Sequence, residues 1–384
     1  MRKKAIAIFF TIFFSVYALL NFYIYERGYS CLSDDKSKFI FNIIFSVLSL
    51  SFPFGKFLER THMFRVSRPV SWLSSFWIGA ILYFLLIILC IDIIRLADYF
   101  IGFLPSKLYF SCSNTKGILF FTSVFIVVVL QIAGFINARI PVIRKLNLDI
   151  NKKAGKYKSL RVVAVSDIHL GILFGRKRTE TLADKIKKLN PDMVLFVGDI
   201  IDEVPRPVIE LDMGAAFRKL DIPLGKYAVT GNHEFIGGIM KSSAYIASIG
   251  IRLLRDECIG IENSFYIVGR DDKDSRWQTG KDRKKLEDIL AHVNKDLPII
   301  LMDHQPLHLE DAEKNGVDFQ LSGHTHHGQL WPINYITNAI FELSHGYIKK
   351  GNTYYYVSNG YGAWGPQLRI GNRPEILDIT LNFI

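Results

Sequence analysis

Cysteine is scarce in this chain: 4 of its 384 residues are cysteines, and none belongs to the polar motifs considered below. Those motifs therefore offer no thiolate to a metal ion. Cys31 and Cys112 both fall between apolar runs in segments that we predict to face outward, where disulfides form, and a bridge between them is one hypothesis. The sequence also has no internal repeat of fixed period and no low-complexity tract.

A motif that combines aromatic and basic side chains for RNA binding is missing as well. The net charge of +11 suggests anionic partners. However, a membrane protein accumulates lysine and arginine on its cytoplasmic side in any case. We therefore predict no nucleic-acid partner for this chain.

Long apolar runs crowd the N-terminal part of the chain, and the mean hydropathy is positive, at +0.20. A helix needs about 20 apolar residues to span a bilayer. We predict a transmembrane region over residues 1–138, with spans at about residues 5–25, 39–54, 72–96 and 117–136. The second run is short and rich in serine, so it either lies in the membrane interface or crosses, and we favour crossing.

The first apolar run has two interpretations, an uncleaved span or a signal peptide. The apolar part of a signal peptide has about 7–15 residues and ends in small residues. This run is longer, and large side chains such as Phe22 and Tyr23 fill its end. We therefore predict an uncleaved span.

Basic residues flank the runs unevenly. The N-terminus, the segment after the second run and the segment after the fourth run are rich in lysine and arginine, while the two other connections carry fewer. The positive-inside rule then places the N-terminus and the C-terminal domain in the cytoplasm, with four spans between them. This placement depends on the second run crossing.

Five short apolar runs in the C-terminal domain each end in polar residues. Runs of this length are typical of buried strands, and side chains two residues apart in an extended chain point the same way. Asp and His at such positions can share one metal ion. The polar residues that follow the five runs are, in chain order, Asp167 and His169, Asp199, Asn232 and His233, His304, and His324 and His326.

In this order, Asp167-x-His169, Gly198-Asp199, Gly231-Asn232-His233-Glu234, His304 and Gly323-His324-Thr325-His326 resemble the calcineurin-like metallophosphoesterases. Each short match alone is weak, but five in order, each at a strand end, are specific together. The resemblance covers residues 141–384. It implies an α/β fold, a four-layer αββα sandwich of two mixed sheets with helices outside, preceded here by an all-α transmembrane bundle.

The resemblance also implies a set of metal ligands. One divalent ion would be held by Asp167, His169, Asp199 and His326, and a second by Asp199, Asn232, His304 and His324. Asp199 would bridge the two ions. His233 would face the phosphate and protonate or stabilise the leaving oxygen.

The chemistry of this ligand set agrees with that layout. Two ions about 3.5–4 Å apart can share a hydroxide and clamp the attacking and leaving oxygens of a phosphoester. Two Asp carboxylates cancel only half of the charge of two divalent ions, so the site would attract a phosphate. Mixed imidazole, carboxylate and amide ligands suit Mn²⁺, Fe or Zn²⁺.

The C-terminal tail is similar to the membrane-anchored bacterial branch of this family. The residues that carry this similarity are Trp331-Pro332, the Gly-rich segment 358–366, Arg369 and Arg373-Pro374-Glu375-Ile376. Arg369 is a candidate contact for a second phosphate, since a guanidinium suits bidentate contact, but it is equally compatible with a surface charge. His327 is a candidate residue at the site mouth, or only a replacement for a small residue.

We therefore expect a multi-pass protein of the bacterial cytoplasmic membrane with a cytoplasmic dimetal phosphohydrolase domain. It would cleave a phosphodiester or pyrophosphate, and its attachment to the membrane favours a lipid-linked substrate. One alternative is a UDP-2,3-diacylglucosamine pyrophosphatase of lipid A synthesis. Another is a membrane transport or sensor protein whose phosphoesterase domain only binds. The spans offer few polar residues beyond Asp92, Arg95 and Gln131, which argues against this last reading.

Overall fold

A computed structural model describes residues 2–61, 63–104 and 113–384 of the chain. It divides into two compact units, residues 1–134 and 135–384. Cys112, the hypothetical partner of Cys31, lies outside the described residues. Cys31 is a free thiol in the structure.

The N-terminal unit is helical. Its helices are α1 (Arg2–Tyr29), α2 (Asp35–Glu59), α3 (Phe64–Ile101) and α4 (Ser113–Asn137). Within the described residues, three helical segments are long and apolar enough to cross a membrane: Asp35–Glu59, Val66–Ile101 and Thr115–Asn137. The short second run, residues 39–54, is thus part of a helix of spanning length. The first run lies in α1, which is not among the three.

Polar side chains of the helical unit contact one another between helices. The indole of Trp77 donates a hydrogen bond to Asn21 Oδ1 at 3.0 Å. Asp92 accepts a hydrogen bond from Arg27 Nη2 at 2.5 Å and one from the hydroxyl of Tyr23. A second basic side chain, Arg95, lies farther from Asp92, at 3.7 Å.

The second unit contains two six-stranded sheets. The first has the order β1-β12-β2-β3-β4-β5 and the second β10-β11-β9-β8-β7-β6. The strands are β1 (Val142–Ile150), β2 (Ser159–Val165), β3 (Met193–Val197), β4 (Lys226–Val229), β5 (Arg252–Leu253), β6 (Glu257–Ile261), β7 (Phe265–Gly269), β8 (Ile299–Met302), β9 (Phe319–Ser322), β10 (Gly346–Lys350), β11 (Thr353–Val357) and β12 (Glu375–Phe383).

Helices connect and cover the strands. They are α5 (Gly175–Leu189), α6 (Pro205–Glu210), α7 (Ala215–Arg218), α8 (Asn232–Gly237), α9 (Ile239–Ser248), α10 (Ser275–Thr279), α11 (Leu286–Ile289), α12 (Glu310–Lys314) and α13 (Ile333–Ile340). One apolar cluster joins inward-facing residues of both sheets. A second lies under α5 and a third under α11 and α12. These layers are the αββα sandwich expected from the sequence.

One predicted helix is largely wrong. The pattern of residues 281–293 predicts an amphipathic helix, but only Leu286–Ile289 is helical. The preceding segment is held extended, because Arg283 donates to Asp303 Oδ1 at 2.7 Å and Lys284 N donates to Asp256 Oδ2 at 2.8 Å. Tertiary contacts of the charged side chains thus override the local pattern.

Candidate metal centre

The seven candidate ligands lie at one edge of each sheet. β2, β3 and β4 run parallel, as do β8 and β9, and the carboxyl ends of parallel strands meet at the same sheet edge. The polar residues that follow these strands are therefore brought together, although up to 159 positions separate Asp167 from His326 in the sequence.

The backbone at this edge is strained. Asp167, His169, Asp199, His324 and His326 all have positive φ, between 46° and 70°. Non-glycine residues adopt this left-handed conformation rarely, and it persists where the surrounding structure holds it in place, often at functional sites. The sharp turns aim each side chain away from its strand and into a common space.

The first ligand cluster consists of Asp167, His169 and His326. The Nε2 atoms of His169 and His326 lie 3.0 Å apart, and His326 Nε2 is 3.5 Å from Asp167 Oδ1. All three residues are buried. Asp199 Oδ2 lies 3.9 Å from His169 Nε2, on the side of this cluster.

The second cluster contains Asp199, His304 and His324. His304 Nε2 lies 3.2 Å from Asp199 Oδ2, and His324 Nδ1 lies 3.0 Å from Asn232 Oδ1. Asp199 therefore borders both clusters, as a bridging ligand would.

The donor atoms fit a divalent metal ion. His304 Nδ1 donates to the carbonyl of Val197 at 2.7 Å, which fixes the ring and turns Nε2 into the site. That buried Nε2 has no hydrogen bond among the described residues, and neither does the buried Nδ1 of His169. A buried nitrogen without a partner costs free energy, and a metal ion would satisfy the one on His304.

The charges of the site point the same way. Burial raises the pKa of the Asp167 carboxyl. Burial alone would lower the pKa of His304, but the charges of Asp199 and Asp167 raise the pKa of His304 well above its usual range. The carboxylates therefore favour a positive charge at this point. Burial and the charge of His304 lower the pKa of His324 to about 4, so its ring is neutral at pH 7, as metal ligation requires.

His233 lies beside the first cluster, where its ring packs against that of His169 with centroids 4.6 Å apart. Its two ring nitrogens also lie near carboxylates. Its ring Nδ1 is 2.9 Å from Asp202 Oδ1, and its backbone N–H donates to Asp199 Oδ1 at 2.9 Å. Burial opposes protonation of the ring, but Asp199 and Asp202 outweigh it and raise the pKa of His233 to about 9. These two carboxylates therefore favour the protonated form of the ring.

Arg369 lies beneath the site, fully buried. Its Nη2 is 3.0 Å from His326 Nδ1 and donates to the carbonyl of Gly362 at 2.6 Å. Nη1 donates to Asn372 Oδ1 at 3.0 Å. A guanidinium with no exposed surface has no access to a phosphate from solution, so this geometry does not support the substrate contact considered for Arg369. It supports a role in holding the loop at His326, whose backbone carbonyl lies 3.5 Å from Arg369 Nη1.

His327, the second candidate substrate contact, is half-buried to the side of the ligand clusters. Its Nδ1 lies 3.2 Å from Ser344 Oγ, and its ring packs against that of His345 with centroids 5.1 Å apart. These contacts hold the ring beside Ser344 and His345.

Two supporting residues have roles that their sequence positions do not reveal. The Glu234 carboxylate accepts hydrogen bonds from the backbone N–H groups of Asp199, Ile201 and Gly231, at 2.7–3.1 Å. It thereby ties two ligand loops together. Asn372 donates to the carbonyls of His326 and His327 and has no local motif that would have identified it.

Comparison with known proteins agrees with this geometry. The family model for the calcineurin-like phosphoesterase matches residues 160–328, which include all seven candidate ligands. An uncharacterized metallophosphoesterase of Aquifex aeolicus is 33% identical over 233 residues, which cover 60% of this chain and 88% of that protein. The chain belongs to the calcineurin-like metallophosphoesterases.

Two further relatives carry the similarity into other organisms. An uncharacterized metallophosphoesterase of Campylobacter jejuni is 29% identical over 95% of this chain and 96% of its own length. A transmembrane protein with a metallophosphoesterase domain from Bos taurus is 31% identical over 67% of this chain, which spans only 61% of that protein. This metallophosphoesterase is thus a metal-dependent phosphoester hydrolase with membrane-spanning candidates at its N-terminus.

Proposed function

We propose that this metallophosphoesterase is a membrane-bound dimetal phosphohydrolase that cleaves a phosphodiester or pyrophosphate. The observation that carries the proposal is the pair of ligand clusters that meet at Asp199. Asp167, His169, Asp199 and His326 would hold one ion, and Asp199, Asn232, His304 and His324 the other. Mn²⁺, Fe or Zn²⁺ fit this mixture of imidazole, carboxylate and amide ligands.

The bound ions would supply Lewis acidity and activate water for attack on phosphorus. The protein's own side chains do the remaining work. His233 donates its proton to the leaving oxygen, while Asp202 holds the ring by its Nδ1 atom at 2.9 Å. Burial would raise the pKa of Asp202, but its contacts with His169 and His233 hold it well below the usual range, so it stays a carboxylate.

A lipid-linked substrate is favoured by the element that follows the ligand loop. Helix α13 has no buried residue, and its side chains Tyr335, Ile336 and Ile340 are exposed by 58–65%. Phe341, which follows it, packs its ring against His324 with centroids 6.1 Å apart. An exposed apolar face this close to a metal ligand suits the acyl chains of an amphiphilic phosphoester. UDP-2,3-diacylglucosamine is one such substrate and is the alternative that the sequence raises.

We also propose that the protein is a multi-pass protein of the bacterial cytoplasmic membrane, with the phosphoesterase domain in the cytoplasm. The support is the excess of basic residues after the second and fourth apolar runs. Four spans are proposed, α1 being the one that rests on the sequence alone.

The function is tested by Mn²⁺-dependent hydrolysis of an aryl phosphodiester by the detergent-purified full chain. We expect activity that is lost in an Asp199→Asn variant, because both proposed ions would be held by this carboxylate. If the metal-loaded protein is no more active than the variant, a generic phosphodiesterase activity is excluded. A binding-only domain, as in the transport or sensor alternative, would then be favoured.

A further inference from the structure

The helical unit contains a cavity of about 360 Å³ that plays no part in the proposed reaction. Its walls come from all four helices and are mostly apolar, with Phe45, Trp77 and Phe84 among the lining residues. Small-molecule sites have volumes of about 300–1,000 Å³ and the same apolar character. The cavity is therefore large enough for part of a lipid chain.

One end of this cavity is charged. Arg27, Asp92, Arg95 and Lys116 line it, and within the described part of the chain these are three cations and one anion. Asp92 is 2.5 Å from Arg27 and 3.7 Å from Arg95, so its single negative charge is shared by two guanidinium groups. The lining residues therefore leave an excess of two positive charges beside an apolar space.

An ionisable group within a membrane-spanning segment costs free energy. The ionisable groups that occur there usually pair with one another and mark a functional site. Guanidinium and ammonium groups together match the phosphate of an anionic lipid head group. A zwitterionic head group would bring its own cation to the excess positive charge, which opposes its binding.

We propose that this cavity is a binding site for one anionic phospholipid. An acyl chain occupies the apolar space beside Trp77, and the phosphate lies between Arg95 and Lys116. The bilayer supplies the ligand, and the site is separate from the metal centre. Its occupancy is therefore independent of the proposed hydrolytic function.

Trp77 provides the probe, because its ring lines the cavity and is 4% exposed. The full chain is reconstituted in vesicles of brominated phosphatidylglycerol or brominated phosphatidylcholine, mixed with unbrominated lipid. The contribution of Trp77 is the difference in emission between the wild type and a Trp77→Phe variant. We expect stronger quenching by the anionic lipid than by the zwitterionic lipid at equal mole fraction.

An Arg95→Gln, Lys116→Gln double variant should remove this preference, since each cation near an anionic lipid contributes about fivefold in affinity. Lys38→Gln is the matched control, because Lys38 is a cation of α2 that does not line the cavity. Unchanged Trp77 emission in unbrominated lipid shows that the variants are folded. Equal quenching by the two lipids, or no quenching by either, would overturn the proposal.

Discussion

His233 owes its suitability as a proton donor to its surroundings. Asp199 and Asp202 raise the pKa of the buried ring to about 9, so these carboxylates favour the protonated form, which is lost as the pH rises. General acid catalysis of this kind contributes about 10²- to 10⁴-fold in rate.

We predict that His233→Asn lowers kcat by about this factor for a phosphodiester with an alkyl leaving group. The loss should be much smaller for a p-nitrophenyl ester, whose leaving oxygen needs little protonation. The fall of kcat at high pH should also disappear in the variant. Equal losses with both esters, measured on protein with the same metal content, would contradict the role of His233 as the acid.

Arg369 is a different kind of residue, since it touches a ligand and has no path to the substrate. Lysine cannot replace its contacts to the Gly362 carbonyl, Asn372 and His326 at once, because its ammonium group is a single point. Residues that orient a metal ligand typically contribute 10–100-fold to metal affinity.

We therefore predict that Arg369→Lys weakens Mn²⁺ binding about 10- to 100-fold, measured by titration calorimetry of the metal-free full chain. Arg373→Lys is the matched control, because the Arg373 side chain is exposed and donates to the carbonyl of Ile140 instead of to the residues around His326. An affinity unchanged in Arg369→Lys would show that the guanidinium does not position His326.

The candidate ligands could be located from the sequence because each closely follows a strand, and the family resemblance implied how they would be shared between two ions. A short apolar run that ends in Asp-x-His or Gly-Asp is visible locally. The burial of Arg369 was not predictable in the same way. It depends on how the loop around Gly360 and Gly362 folds beneath the site, and no local pattern distinguishes a buried arginine from an exposed one. Asn372 is hidden for the same reason.

Among the elements, α13 shows where pattern reasoning fell short. Its eight residues form an apolar helix that the sequence did not lead us to expect, while the helix predicted at residues 281–293 is reduced to one turn. The difference lies in tertiary contacts. Arg283 and Lys284, in the segment 281–293, are hydrogen-bonded to carboxylates that are distant in the sequence, whereas the α13 helix forms without contacts of this kind.

If α13 receives acyl chains, Ile336→Asp should reduce hydrolysis of a vesicle-embedded phosphodiester by about tenfold, the loss expected for a buried isoleucine side chain. Hydrolysis of a short-chain soluble diester should not change. Ile384→Asp is the control, since Ile384 is also exposed and follows the last strand. A reduction with both substrates would mean that the substitution damages the site itself.

At the scale of the whole molecule, the number of membrane crossings between two positions decides whether they lie on the same side of the membrane. Three helices of spanning length, α2, α3 and α4, separate the loop at Ser33 from Lys145 in β1. If all three cross, as proposed, these two positions lie on opposite sides of the membrane, whether or not α1 also crosses.

We predict that Ser33→Cys reacts with a membrane-impermeant maleimide added to intact cells, and that Lys145→Cys reacts only after lysis. Each change is made in a variant in which all four native cysteines are replaced by serine. The opposite labelling pattern would place the phosphoesterase domain outside the cytoplasm.

The central claim is that two metal ions share Asp199. The most direct measurement is anomalous X-ray diffraction from crystals of the Mn²⁺-loaded full chain, recorded at the manganese edge. We predict two anomalous peaks at the strand ends, one beside Asp167 and His169 and one beside His304 and His324, both in contact with Asp199. A single peak, or two peaks of which only one contacts Asp199, would contradict the dimetal account.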